Sequence, residues 1–170
     1  DGDDIFIVDD AGDVITDTSG IDQVQTIISF TLPEGFENLQ FTGLQSGLLG
    51  QGNSGNNTMQ NNDTGGELQG GAGNDRFEDG AGRDVFVGGQ GADTFDFSQL
   101  QNGVLRLGEV LDFSVARGDK IDVSKIDANG NPLDGNQSFS FVGEQDFSGV
   151  AGELRFSQRL LQGDINGDGV

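Results

Sequence analysis

The chain has 170 residues, among them 30 Gly, 2 Pro and 13 Phe, and carries a formal net charge of −21. It contains no Cys and no His, which excludes disulfides, zinc sites of the Cys/His kind and Cys or His nucleophile–base pairs. So acidic a surface repels nucleic acid and anionic membranes, and multivalent cations are its natural partners. No stretch is long and apolar enough to span a bilayer. Taken in chain order, residues 1–7 begin inside a motif, so the sequence reads as a piece of a longer protein. Ile5-Phe6-Ile7-Val8 and residues 24–30 alternate as strands do, and no Lys or Arg precedes Arg76.

A period of nine residues follows. Gly70-Gly71-Ala72-Gly73-Asn74-Asp75-Arg76-Phe77-Glu78 is followed in frame by residues 79–87, with Gly80, Gly82, Asp84 and Phe86, and by 88–96, with Gly88, Gly89, Gly91, Asp93 and Phe95. The form is G-G-x-G-x-D-x-U-x, U being large and apolar. The frame extends backwards with decay. Residues 52–60 keep Gly55 and place Asn57 where Asp is expected, and 61–69 keep little besides Leu68. Met59, Leu68, Phe77, Phe86 and Phe95 form one apolar stripe in register, which a flexible Gly/Asp linker has no reason to carry. Gly2, Asp4 and Phe6 fall in the Gly, Asp and apolar places of a further partial repeat.

The first six residues of each repeat suit a tight turn, because glycine permits positive φ and leaves backbone carbonyls unobstructed. The last three suit a short strand with one inward side chain. Two repeats make one coil, and coils stack as parallel strands about 4.8 Å apart. Loops two repeats apart therefore lie on the same side, and an ion between them reaches both. Ca2+ takes 6–8 oxygens from carboxylates and carbonyls. The strongest expected site joins Gly71, Gly73 and Asp75 to Gly89, Gly91 and Asp93. A weaker one joins Gly55 and Asn57 to Gly73 and Asp75. On the other side, Gly80, Gly82 and Asp84 face loop 61–66, whose one acid is Asp63. The competing reading of these aspartates is as turn formers bonding to local backbone.

With these motifs the chain resembles the RTX, or haemolysin-type calcium-binding, repeat family. Val110-Leu111-Asp112-Phe113, Gly118-Asp119-Lys120-Ile121-Asp122-Val123-Ser124, Gly152-Glu153-Leu154-Arg155-Phe156 and residues 163–169 resemble the serralysin-type C-terminal domain. Residues 30–39 resemble spacers between repeat blocks. The resemblance implies an all-β fold, a right-handed parallel β-roll of nonapeptide repeats capped by an antiparallel β-sandwich. It implies Ca2+ as cofactor, type I secretion of an unfolded bacterial chain, and folding outside the cell. It also suggests Asp112 and Asp119 as calcium ligands, with plain turn roles as the alternative. The expected organisation is an N-terminal β segment or spacer over 1–49, the calcium-binding roll over 50–98 and the C-terminal cap over 99–170.

Residues 164–169 fit the start of an EF-hand loop, but its twelfth-position Glu falls beyond the chain, so a hairpin turn is expected. A turn is also expected over 127–132, strands over 138–142 and 154–156, and a short helix is a candidate over 98–103. No pair of acids is picked out for catalysis, so the module reads as non-catalytic. It is expected to fold on binding calcium and to stabilise a larger secreted or surface protein. The alternative is calcium-dependent recognition of a polysaccharide or surface. The expected partners are calcium, neighbouring domains and the type I secretion machinery.

Overall fold

A computed structural model describes residues 2–97, 108–131, 133, 135–157 and 160–169. The chain divides into two units, one comprising 1–97 and 108–122 and the other 98–107 and 123–170. No helix occurs among the described residues. The helix candidate at 98–103 lies outside them.

The first unit is a parallel β-roll. Its larger sheet takes β1 (Ile5–Val8), β2 (Gln23–Thr26), β4 (Asn38–Phe41), β6 (Thr58–Gln60), β8 (Arg76–Glu78), β10 (Thr94–Asp96) and β12 (Lys120–Asp122), in that spatial order. The facing sheet runs β3 (Phe30–Thr31), β5 (Leu48–Gln51), β7 (Gly66–Ala72), β9 (Val85–Gln90) and β11 (Glu109–Val110). Every pairing in both sheets is parallel. The apolar stripe explains this. Met59, Phe77 and Phe95 align on the larger sheet, and Leu68 and Phe86 align on the facing one. All five are fully buried. Phe77 and Phe95 stack with ring centroids 5.1 Å apart, and Phe86 tilts against both at 5.6 and 6.1 Å. Burying each ring contributes about 2–3 kcal/mol.

The N-terminal segment extends the same two sheets. Val24 pairs with Leu39 and Leu39 with Met59, so the inner column continues upstream of the repeats. Corresponding residues of successive coils are separated by 18, 15, 20, 18, 18 and 26 positions. The strand expected over 24–30 is two strands in different sheets. Buried Thr26 turns the corner between them, its Oγ1 accepting the Ile28 N–H and donating to the Ile28 carbonyl, both at 3.1 Å.

The second unit holds one three-stranded sheet of β13 (Ser140–Gly143), β14 (Glu153–Ser157) and β15 (Leu160–Asp164). Of the expected antiparallel cap, the β14–β15 pair is antiparallel, whereas β13 joins β14 in parallel through a crossover at 144–152. Ile126, Ala128 and Leu154 are buried here. Asp164, also buried, closes the turn at 164–169. Its Oδ1 accepts the Gly167 N–H at 2.7 Å and its Oδ2 the Gly169 N–H at 2.9 Å.

Candidate metal centre

Two glycine loops sit where the chain passes from the facing sheet to the larger one. Loops 70–75 and 88–93 are stacked in register, with Gly71 opposite Gly89. Gly73 and Gly91 have φ of +107° and +122°, a region closed to most side chains. A Cβ on Gly91 would lie 1.8 Å from the Gly73 carbonyl oxygen, and one on Gly89 would lie 2.2 Å from that of Gly71. Either methyl would fill the space between the loops. The first glycine of each repeat has a different neighbour. A Cβ on Gly70 would meet Asp75 Oδ2 at 2.1 Å, and one on Gly88 would meet Asp93 Oδ2 at 2.3 Å.

The aspartates link these loops. Asp75 Oδ1 accepts the Asn57 N–H at 2.8 Å, and Asp93 Oδ1 accepts the Asp75 N–H at 2.9 Å. Oδ2 of each is buried and has no hydrogen-bond partner among the described residues. Burial pushes the Asp75 carboxyl up to about 7, with the Asp93 charge adding to it and the Asn57 N–H opposing it. Asp93 is raised by the same principal cause. A buried carboxylate with an open oxygen is costly unless a cation or proton meets it.

On the other side of the roll, Asp84 repeats the pattern. Its Oδ2 accepts the Gly80 N–H at 3.0 Å, while Oδ1 is buried without a partner among the described residues. Burial raises its carboxyl to about 6, and the charges of Asp79 and Asp63 push the same way. A Cβ on Gly80 would lie 1.8 Å from the Asn62 carbonyl oxygen, and one on Gly82 would lie 2.1 Å from the Gly65 nitrogen. The glycines thus press against loop 61–66, where Asp63 Oδ1 accepts the Ala81 N–H at 3.4 Å.

Four further positions named from the sequence, Gly55, Asn57, Asp112 and Asp119, lie in the same stack. Asn57 donates to the Phe36 carbonyl at 3.0 Å and accepts the Asn53 N–H at 2.9 Å, so the amide itself ties the loop together. Gly55 lies beneath Gly73, whose added Cβ would be 2.4 Å from the Gly55 carbonyl oxygen. Asp112 accepts the Gly88 and Gly89 N–H groups at 2.8 and 2.9 Å. Asp119 accepts the Asp93 N–H at 3.1 Å and the Ser114 N–H at 2.8 Å. The Arg117 guanidinium bridges Asp112 and Asp119 at 3.2 and 3.1 Å, supplying positive charge at that end of the stack. Arg117 was not legible as part of the site, since nothing in its local sequence marks it.

A parallel β-roll whose stacked loops bury open carboxylate oxygens behind glycine-lined carbonyls defines a calcium-binding solenoid. Residues 62–97 match, in four copies, the RTX calcium-binding nonapeptide repeat, and this part of the chain is a run of RTX repeats. The repeats are calcium-binding modules without catalytic function of their own, and Ca2+ is their cofactor. The donor set fits that ion, because carboxylates and carbonyls supply only hard oxygen ligands. The match begins inside the degenerate repeat at 61–69 and leaves out 52–60, although Thr58 pairs with Arg76 in the same register. No curated protein matches the chain.

Proposed function

We propose that this chain is a non-catalytic folding module of a larger secreted bacterial protein, exported unfolded by a type I system and ordered by calcium outside the cell. Between the stacked loops, Gly71, Gly73 and Asp75 with Gly89, Gly91 and Asp93 hold the principal ion. Gly80, Gly82 and Asp84 serve the opposite side. The carrying observation is the set of buried, partnerless oxygens on Asp75, Asp84 and Asp93. Charge repulsion and glycine entropy oppose folding without cations, and ions that bind only the folded form stabilise it by RT ln(1 + [L]/Kd) per site. Asp112 and Asp119 stand at the end of the stack, and the resemblance to serralysin-type C-terminal domains supports a calcium-linked role for them. Calcium titrated into the chelator-treated chain, followed by far-UV circular dichroism with magnesium as control, tests the proposal. A cooperative gain of β signal with calcium alone is expected. Full β structure in chelator would defeat the folding switch.

The alternative, calcium-dependent recognition of a polysaccharide, draws support from one feature. Gln23, Asn38, Gln40, Thr58 and Gln60 line an open groove on the larger sheet, and the glutamine amides form a hydrogen-bonded ladder. Polysaccharide pull-down that disappears with chelator would favour it.

A further inference from the structure

The two N-terminal loops, outside the matched repeats, reproduce the geometry of the repeat loops. Gly2 and Gly20 have φ of +110° and +127°, close to Gly73 and Gly91. A Cβ on Gly20 would lie 2.1 Å from the Gly2 carbonyl oxygen, the same kind of approach that Gly91 makes to Gly73. Asp3 Oδ1 accepts the Ile21 N–H at 2.8 Å, just as Asn74 Oδ1 accepts the Ala92 N–H at 2.8 Å. Asp22 Oδ1 accepts the Asp4 N–H at 3.0 Å, as Asp93 Oδ1 accepts that of Asp75. Asp22 is fully buried, and its Oδ2 has no hydrogen-bond partner among the described residues.

One substitution distinguishes this pair of loops. Asp17 stands five residues before Asp22, in the place that Gly70 holds before Asp75 and Gly88 before Asp93. There, an added Cβ points at the open Oδ2 of the aspartate. At residue 17 the side chain is present and carries a carboxylate. One carboxylate oxygen from each of Asp4, Asp17 and Asp22 lies within 4.8 Å of the others. Three such groups meeting at a buried, partnerless oxygen repel one another unless a cation joins them.

We infer that Asp4, Asp17 and Asp22 form a further divalent-cation site of the calcium type, separate from the ions of the repeats. It holds more acidic side chains than a repeat site and needs no glycine in the first place. Its role is to fix the two coils that carry β1 and β2, where no Lys or Arg is present to balance charge.

Native mass spectrometry of the whole chain in calcium, which counts bound ions, tests this. Asp17→Asn, a half-buried loop substitution, is expected to remove one ion or weaken it at least tenfold, and Asp22→Asn to remove it. Asp93→Asn is expected to remove a different ion, so failure of the repeat sites is read separately. An unchanged count in both N-terminal variants would overturn the inference. Should Asp22→Asn fail to fold, substoichiometric Mn2+ added to the wild-type chain gives a second readout by NMR. The Asp4 and Ile21 amides are expected to broaden as strongly as those of Asp75 and Asp93. Broadening confined to the repeat loops would overturn the inference.

Discussion

Asp93 Oδ1 accepts the backbone N–H of Asp75, one coil earlier, at 2.9 Å. The same bond joins Asp75 to Asn57 and Asp22 to Asp4. One oxygen of each carboxylate is therefore committed to the backbone ladder, and the other is buried with no hydrogen-bond partner among the described residues. Asn57 shows what an amide does in that place, since its side-chain nitrogen bonds to the Phe36 carbonyl instead. Asp75→Asn should consequently uncouple fold from ion. In chelator the variant should melt at the wild-type temperature or above, because a buried charge is gone. In calcium it should gain less, by about 2.7 kcal/mol for one site lost at a concentration of 100 Kd. Thermal melts with and without calcium decide it.

The calcium-free chain should lose stability as pH rises. Asp75 is raised to about 7 and Asp84 to about 6 in the folded state, chiefly by burial. In the unfolded chain both titrate near the ordinary value of about 3.9. Between these limits the folded state binds more protons, so stability falls with increasing pH from about 4 to about 7. Melting in chelator should occur at higher temperature at pH 5 than at pH 8. Asp75→Asn with Asp84→Asn should flatten the profile, which general charge repulsion alone would not do. With calcium present, the ion must displace these protons, so affinity should rise with pH over the same window.

Gly91 and Gly130 both have positive φ, but only Gly91 faces a wall. Its added Cβ would be 1.8 Å from a backbone oxygen, whereas Gly130 has nothing within 4 Å. Gly130→Ala should cost about 1 kcal/mol from backbone strain. Gly91→Ala should cost at least about 3 kcal/mol and abolish the calcium-induced rise in melting temperature, because the loops must separate.

Phe86 touches Phe77, Phe95 and Phe97 and is fully buried. Phe86→Ala should destabilise the calcium-loaded chain by about 3–5 kcal/mol. Since no ligand atom is altered, the number of ions bound at saturation should remain that of the wild type. Calorimetry against mass-spectrometric ion counts separates the two effects.

The roll was legible from the sequence where its coils are regular. The frame from Gly52 to Asp96 gave the alternation of Phe77, Phe86 and Phe95 between sheets and the pairing of loop 70–75 with 88–93. Upstream, the fold was hidden by coil length. The steps of 15 and 20 residues that carry Asp22 to Glu37 and Glu37 to Asn57 break the period, although Val24, Leu39 and Met59 remain in one column. Gly2 and Asp4 were recognisable as a partial repeat. The recurrence of their spacing at Gly20 and Asp22 was an available signal, masked because Asp17 occupies a glycine place. Arg117 reaches the stack through a 26-residue coil, and no local pattern announces such an approach.

One series of inter-coil bonds has a direction. In five of them the carboxylate belongs to the later coil and the N–H to the earlier one, Asp22 to Asp4, Glu37 to Asp22, Asp75 to Asn57, Asp93 to Asp75 and Asp119 to Asp93, whereas Asp3 and Asp63 accept N–H groups of the coil that follows, those of Ile21 and Ala81. For these five bonds the carboxylate is supplied by the succeeding coil. A chain emerging with its N-terminus first therefore has each of these loops waiting on a carboxylate still behind it.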